Sequence, residues 1–278
     1  MKANQYKDEV DEFIGTRDYL NELVQQRANK VIKRFFSLDS QTYKKDILDS
    51  KTKEMIGLAC SMVLRCDDCI KYHLVQCFEQ GLSTAEIVEL LSVPLIVGGS
   101  IVIPHLRRAI EFWTSLEKKR FNKLTENIKE KVSELQNTST GKDNNAVLQA
   151  ICELCSDTIP YYNWFGFYIV SKEKENMLNL GPYSGEPTEH VKIPFGVGIC
   201  GQAASSKKTY LIDDVSDEKN YLSCSINVKS EIVVPVFKED TLVAEIDIDS
   251  HTKEAFTELD KKFLEELATI VVPFIELS

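Results

Sequence analysis

Cys66 and Cys69 stand two residues apart in the stretch RCDDCIKYH, with His73 one helical turn further on. Thiols at i and i+3 close a disulfide when the first lies at or near a helix N-terminus, where unpaired amides and the dipole stabilise a thiolate. Arg65 adds a positive neighbour. Cys66 therefore reads as the attacking thiolate and Cys69 as its resolving partner. The other use of a CxxC is half of a zinc site, which needs four ligands. Cys66, Cys69, His73 and Cys77 share one helical stripe. Its ends are about 16 Å apart at 1.5 Å per residue, too far for one ion. Cys152 and Cys155 make a second pair, but on an apolar helical pattern (Val147, Leu148, Ile151, Leu154) that reads as core. Redox chemistry is the favoured reading, with no metal and no cofactor expected.

A carboxylate precedes the dithiol. Glu54, in KTKEMIGLACSMVL, falls on a helix that would pack beside the cysteine helix and could exchange a proton with the thiol through His73. On its own, a glutamate in a first helical turn is only a favourable charge on the dipole. The combined pattern E-x11-C-x-x-C-x3-H, followed by EQGLSTAEIVELLSVPLIVGGSIVIPHLRRAIEF, resembles the alkylhydroperoxidase D-like branch of the carboxymuconolactone decarboxylase family over about residues 50 to 115. The resemblance implies an all-helical domain assembled as a homo-oligomer. It also implies that Glu54, Cys66, Cys69 and His73 form a relay that reduces a hydroperoxide or passes electrons to a partner. Asp68 stands where well-studied peroxidases of that family often have histidine, which raises the attacking thiol's expected pKa.

Composition limits the alternatives. The chain has 278 residues, room for two domains with real cores. Eight cysteines in a chain of this length, without a signal-like or membrane-spanning run, suggest reduced thiols in a cytoplasm. The start MKANQYKDEVDEF is too polar for a targeting segment. A net charge of −10 and a pI near 5.1 argue against nucleic acid as a partner.

The elements that must hold these residues follow from periodicity. Apolar residues from Val10 to Phe35 recur at three- and four-residue steps, predicting an amphipathic helix over 5–36. Gly81 reads as the C-terminal stop of the cysteine helix, and Ser83 with Glu86 as a capping box for the next. Gly98 and Gly99 interrupt before a longer helix with Pro104 near its start. From Ser115 the composition turns polar and ends in NTSTGKDNN, a linker helical at first and then loose. Cys60 and Cys77 read as small buried hydrophobes inside helices.

Beyond Asn145 one helix gives way to β-rich runs: NWFGFYIV, MLNL, HVKIP, TYLI, SEIVVPVF and TLVAEIDI, closed by an amphipathic helix from Thr257. The segments NWFGFYIV, LGPYSGE, IPFGVGICGQAA, SEIVVPVF and IDIDS resemble, in that order, GAF domains of the free methionine-(R)-sulfoxide reductase type. That resemblance implies an attacking cysteine at Cys224 and a recycling cysteine at Cys200. It implies an acidic substrate cluster of Glu231, Asp247 and Asp249, with Trp164 and Tyr183 walling the pocket. Strand alternation puts Asp247 and Asp249 on one face, with Ile246 and Ile248 turned to the core. The plain alternative is an amphipathic strand with a solvated acidic face. The chain departs from the family at three places. His190 replaces a cysteine upstream of the IP dipeptide, NYLSCSINV replaces the tract around the nucleophile, and Glu245 replaces a small apolar residue.

The expected fold is two-domain. An all-α alkylhydroperoxidase D-like domain (1–118) and a partly helical linker (119–144) precede an α+β GAF domain with a central antiparallel sheet (145–278). The expected activity is a thiol-dependent reductase of free methionine-(R)-sulfoxide, of hydroperoxides or of both. Its substrate is a small molecule, and its electrons come from a thioredoxin-, glutaredoxin- or lipoyl-type donor. The alternative is a GAF-based small-molecule or redox sensor coupled to the helical domain.

Overall fold

The computed structural model describes residues 8–138, 143–218 and 227–277. The chain divides into two compact units, Met1–Arg120 and Phe121–Ser278.

The first unit is helical. The apolar periodicity of its N-terminal stretch is split between α1 (Glu9–Arg27) and α2 (Lys30–Thr42), so the single helix expected over 5–36 is two. Ala28 turns extended, and the Asn29 side chain caps the second helix by accepting from the Val31 and Ile32 amides at 3.0 Å. A polar side chain that can cap competes with the helix it interrupts, and here the cap wins. α3 (Ser50–Leu64) and α4 (Asp67–Glu79) form a hairpin reversed at Arg65, whose φ of 60° lies in the left-handed region. Gly81 takes φ 76° after α4, and Ser83 and Glu86 form a reciprocal capping box for α5 (Thr84–Gly98). A 3₁₀ turn, Ser100–Val102, leads into α6 (Ile103–Thr138). The core of this unit gathers Leu58, Met62, Leu74, Ile87, Phe112 and Trp113. The Trp113 indole donates to Thr84 Oγ1 at 3.0 Å. Many large apolar side chains nevertheless face outward, including Val31, Phe35 and Leu38 on α2 and Ile96 and Val97 on α5.

The second unit is a six-stranded antiparallel sheet ordered β3-β2-β1-β6-β5-β4, where β1 is Trp164–Val170, β2 Met177–Ser184, β3 Lys192–Pro194, β4 Tyr210–Ile212, β5 Ser230–Lys238 and β6 Thr241–Ser250. On one face, α7 (Asn144–Thr158), α9 (Glu258–Val271) and the last turns of α6, through Ile128 and Val132, cover Phe165, Phe167, Ile232, Ile246 and Ile248. On the other, α8 (Gly198–Ser206) packs with Trp164, Tyr168, Leu178, Val233 and Ile193 of β3. Period-two alternation sorts β6 between the layers: Ile246 and Ile248 join the first, Glu245, Asp247 and Asp249 the second. This curled sheet with helices on both faces is the GAF architecture, and the helical half preceding it completes the expected fold class.

Candidate functional site

The helical unit assembles the dithiol as the spacing requires. Cys66 is the N-cap of α4 and receives the Cys69 amide on its sulfur at 3.4 Å. The two cysteines are disulfide-bonded, with Cα atoms 5.2 Å apart. An N-cap sulfur sits at the positive end of the helix dipole, where the thiolate formed on reduction is favoured. One turn into α4, His73 is buried, and its Nδ1 lies 2.7 Å from Glu54 Oε2, also buried, on α3. The Tyr43 hydroxyl approaches His73 Nε2 at 3.5 Å. The ring lies against Gly57, one turn from Glu54 on α3, where a methyl group would come 2.6 Å from its Cε1. An open groove of about 1020 Å³, lined by Tyr43, Gly57, Cys60, Ser61, Cys69 and His73 among others, brings solvent to this cluster.

Two outcomes differ from the reading of the sequence. Cys60 is exposed on the groove and not a buried hydrophobe, because its α3 face carries the groove. Cys77 is buried as expected, and burial pushes its thiol up to about 12. His105, which reads from the sequence as an ordinary surface or helix histidine, anchors the start of the cysteine helix. Its Nδ1 is 2.7 Å from Asp67, which also receives Arg108 Nη2 at 3.0 Å.

In the second unit the acidic residues meet in one buried layer. Asp249 pairs in register with Glu231 on β5 and with Trp164 on β1, and Asp247 pairs with Val233 and Gly166. Cys200, in the first turn of α8, donates its thiol to Glu231 Oε1 at 4.0 Å. Glu245 continues the row opposite Tyr168 and Pro235, and it is completely buried. The four carboxylates join no ion pair among the described residues. The solvated acidic face considered as the alternative is thus not what β6 carries. Burial, then the neighbouring Asp247 charge, raises Glu231, Glu245 and Asp249 well above the ordinary carboxylate range, and burial pushes Asp247 up to about 7. Such a layer holds protons at neutral pH and offers them to whatever enters.

Trp164 stacks on Tyr183 with ring centroids 5.3 Å apart, and its indole donates to the Glu186 carbonyl at 3.1 Å. The Tyr168 hydroxyl donates to the His190 carbonyl at 3.0 Å, which fastens the strip holding the His190 replacement to the pocket wall. Cys224 lies outside the described residues. Gly57 and Tyr43 carried a sequence signal only in hindsight: a glycine one turn after a buried acid leaves room for a ring.

Residues 30–112 match the carboxymuconolactone decarboxylase family and residues 142–276 a GAF domain family. The free methionine-R-sulfoxide reductase of Saccharomyces cerevisiae is 43% identical over 39% of this chain and 61% of its own length. The protein of the same name from Escherichia coli is 32% identical over 44% of this chain and 72% of its own. The chain belongs to the GAF family of the free methionine-R-sulfoxide reductases. A solved structure of such a reductase from Neisseria meningitidis, in complex with its substrate, is 29% identical, covers 57% of this chain and 89% of that one, and has a TM-score of 0.50. The alignment spans less than two thirds of the yeast relative. Ahead of the GAF domain, this member of the family carries the carboxymuconolactone decarboxylase domain.

Proposed function

We propose that the chain is a thiol-dependent oxidoreductase whose GAF half reduces free methionine-(R)-sulfoxide. One observation carries the reading: Glu231, Asp247 and Asp249, completely or nearly buried, converge from two strands beside the Cys200 thiol. A buried acidic layer suits a substrate that brings an ammonium group, and a carboxyl titrating near neutrality suits proton donation to a sulfoxide oxygen. Cys224 is assigned as the nucleophile. Its thiolate attacks the sulfur of the protonated sulfoxide, the hydroxyl passes to the cysteine sulfur as the new S–S bond and the S–O bond break, methionine leaves as the thioether, and Cys224 is left as a sulfenic acid. A second thiol, assigned to Cys200, condenses with it to a disulfide and releases water. An external dithiol of thioredoxin, glutaredoxin or lipoyl type returns the two electrons. Trp164 and Tyr183 supply the wall against which the thioether chain packs.

The Glu54–His73 pair behind the Cys66–Cys69 disulfide favours a second redox centre on the helical half, reducing hydroperoxides or relaying electrons to the GAF disulfide. The exposed apolar side chains of that half support its assembly as a homo-oligomer. Cysteines outside any disulfide among the described residues support a cytoplasmic setting. No helix among the described residues is long and apolar enough to cross a membrane.

The test is consumption of free methionine-(R)-sulfoxide with dithiothreitol as donor, beside the S epimer and an organic hydroperoxide. Turnover of the R epimer alone, lost in Cys224→Ser, is the expected result. Hydroperoxide turnover lost in Cys66→Ser assigns a second activity to the helical half. Ligand binding without turnover of any of the three rejects the reductase in favour of a sensor.

A further inference from the structure

Fully ionised, the buried acidic layer would carry more negative charge than one ammonium group offsets. Glu245 is completely buried with neither carboxylate oxygen hydrogen-bonded among the described residues, and Asp247 is completely buried beside Cys200 and Glu231. Each ionised carboxylate left so would cost several kcal/mol, so the layer must take up protons or a cation. Beside it stands a donor set drawn from three elements. Cys200 Sγ from α8, a Glu231 oxygen from β5 and an Asp247 oxygen from β6 all lie within 4.8 Å of one another, and all three residues are buried. Donors on one tetrahedral zinc ion stand roughly 3.5 Å apart, given bond lengths of about 2.3 Å to sulfur and 2.0–2.2 Å to oxygen. Closing this set around an ion therefore takes rotamer adjustments of about 1 Å and no change of register.

We propose that Cys200, Glu231 and Asp247 form a binding site for a thiophilic divalent cation, Zn²⁺ by its donor chemistry, that excludes the sulfoxide substrate from the same pocket. A thiolate among the donors selects against Mg²⁺ and Ca²⁺, which take oxygen ligands. On binding, the Cys200 S–H bond is exchanged for an S–Zn bond, the protons held by Cys200 and by the Glu231 and Asp247 carboxyls leave to solvent, and no electrons move. Glu245 and Asp249 lie uncoordinated in the same buried layer. Oxidation of Cys200 removes the sulfur ligand, so the ion is held only by the reduced protein. Zinc thereby stores the pocket in a closed, reduced form until it is withdrawn. Binding stands independently of the reductase assignment; only the competition with substrate rests on it.

The experiment uses the full chain, reduced with a phosphine and stripped with a chelator, titrated with Co²⁺ and then Zn²⁺. It is run in a Cys66→Ser, Cys69→Ser background so that the CxxC dithiol cannot contribute. One equivalent of Co²⁺ with thiolate-to-metal charge-transfer absorption, displaced by Zn²⁺, is expected. Adding Cys200→Ser abolishes the band, and Asp247→Asn weakens binding at least ~10-fold. Thermal unfolding confirms that each variant is folded; Asp247→Asn relieves a buried charge and keeps the test decisive if Cys200→Ser does not fold. Absence of the band in the background chain, its full persistence after Asp247→Asn, or displacement by Mg²⁺ or Ca²⁺ overturns the site. If binding holds and Zn²⁺ fails to inhibit sulfoxide turnover competitively, the exclusion of substrate is overturned while the site stands. A chain that binds Zn²⁺ but shows no turnover to inhibit points to failure of the reductase reading instead.

Discussion

Substituting Gly57 by alanine isolates the contribution of the Glu54–His73 pair without touching either residue. The added methyl would lie 2.6 Å from His73 Cε1 and 2.9 Å from Nδ1 and Nε2, so the ring must retreat by about 0.8 Å to reach an ordinary contact of 3.4 Å. The same movement acts on the Nδ1···Oε2 distance, now 2.7 Å, and takes the pair out of good hydrogen-bond range. Two energies oppose one another. Alanine in a helix interior gains about 1 kcal/mol over glycine, while overpacking a buried contact costs about 1–3 kcal/mol. The net change in stability is therefore a loss of about 0–2 kcal/mol, small enough to leave the protein folded. The effect on chemistry is larger, since misplacing a proton-transfer group by about 1 Å can cost 100-fold. Stopped-flow oxidation of the reduced Cys66–Cys69 dithiol by an organic hydroperoxide should slow by about that factor, with denaturant unfolding measured in parallel. A Gly57→Ala chain that gains about 1 kcal/mol and oxidises at the native rate would refute the reasoning, because it would show that the ring moves freely and that its bond to Glu54 does nothing for the thiols.

Other expectations follow from the same geometry. Asp247 holds its proton up to about 7, against 3.8 in the unfolded chain, so the unfolded state releases that proton first and its contribution to stability is lost as pH rises between the two values. At 1.36 kcal/mol per pH unit the penalty above pH 7 is on the order of 4 kcal/mol. In chelator, Asp247→Asn should therefore raise the GAF melting temperature by roughly 10 °C at pH 8 and leave it unchanged near pH 3.5; calorimetry showing equal shifts at both would refute the assignment. Asp260→Ala removes the acceptor of the Tyr161 and Tyr162 hydroxyls, at 2.7 and 3.0 Å, together with half of the α9 capping box. It should cost about 4 kcal/mol by urea denaturation. His105→Ala breaks a clamp that is half exposed, so its cost should stay under about 1 kcal/mol by the same measurement.

What the sequence revealed follows from how local each signal is. Period-two alternation in TLVAEIDI and the capping residues Ser83 and Thr257 act within a few residues of themselves, and these elements are where the pattern places them. The dithiol was legible because a CxxC needs only one helix end. The join between α1 and α2 was missed because the apolar steps run through it, and only the side chain of Asn29 decides for a new cap. Exposure of Cys60 and the anchoring of Asp67 by His105 depend on helices distant in sequence, which no spacing within α3 or α6 reports. Glu245 could be seen to break the family's pattern, but its complete burial could not, since that follows from the packing of α8 and its neighbours on that face of the sheet.

The alternation of β6 has a bearing on how the domain assembles. Between β1 and β5, a slip of one residue would turn Glu245, Asp247 and Asp249 in among Phe165, Phe167 and Ile232, and would send Ile246 and Ile248 to the pocket. Three carboxylates pressed into that hydrocarbon layer would cost more than a domain's whole margin of stability. The acids assigned to the substrate thus also hold the register of the central strand: the native pairing is the one in which all three leave the hydrocarbon layer.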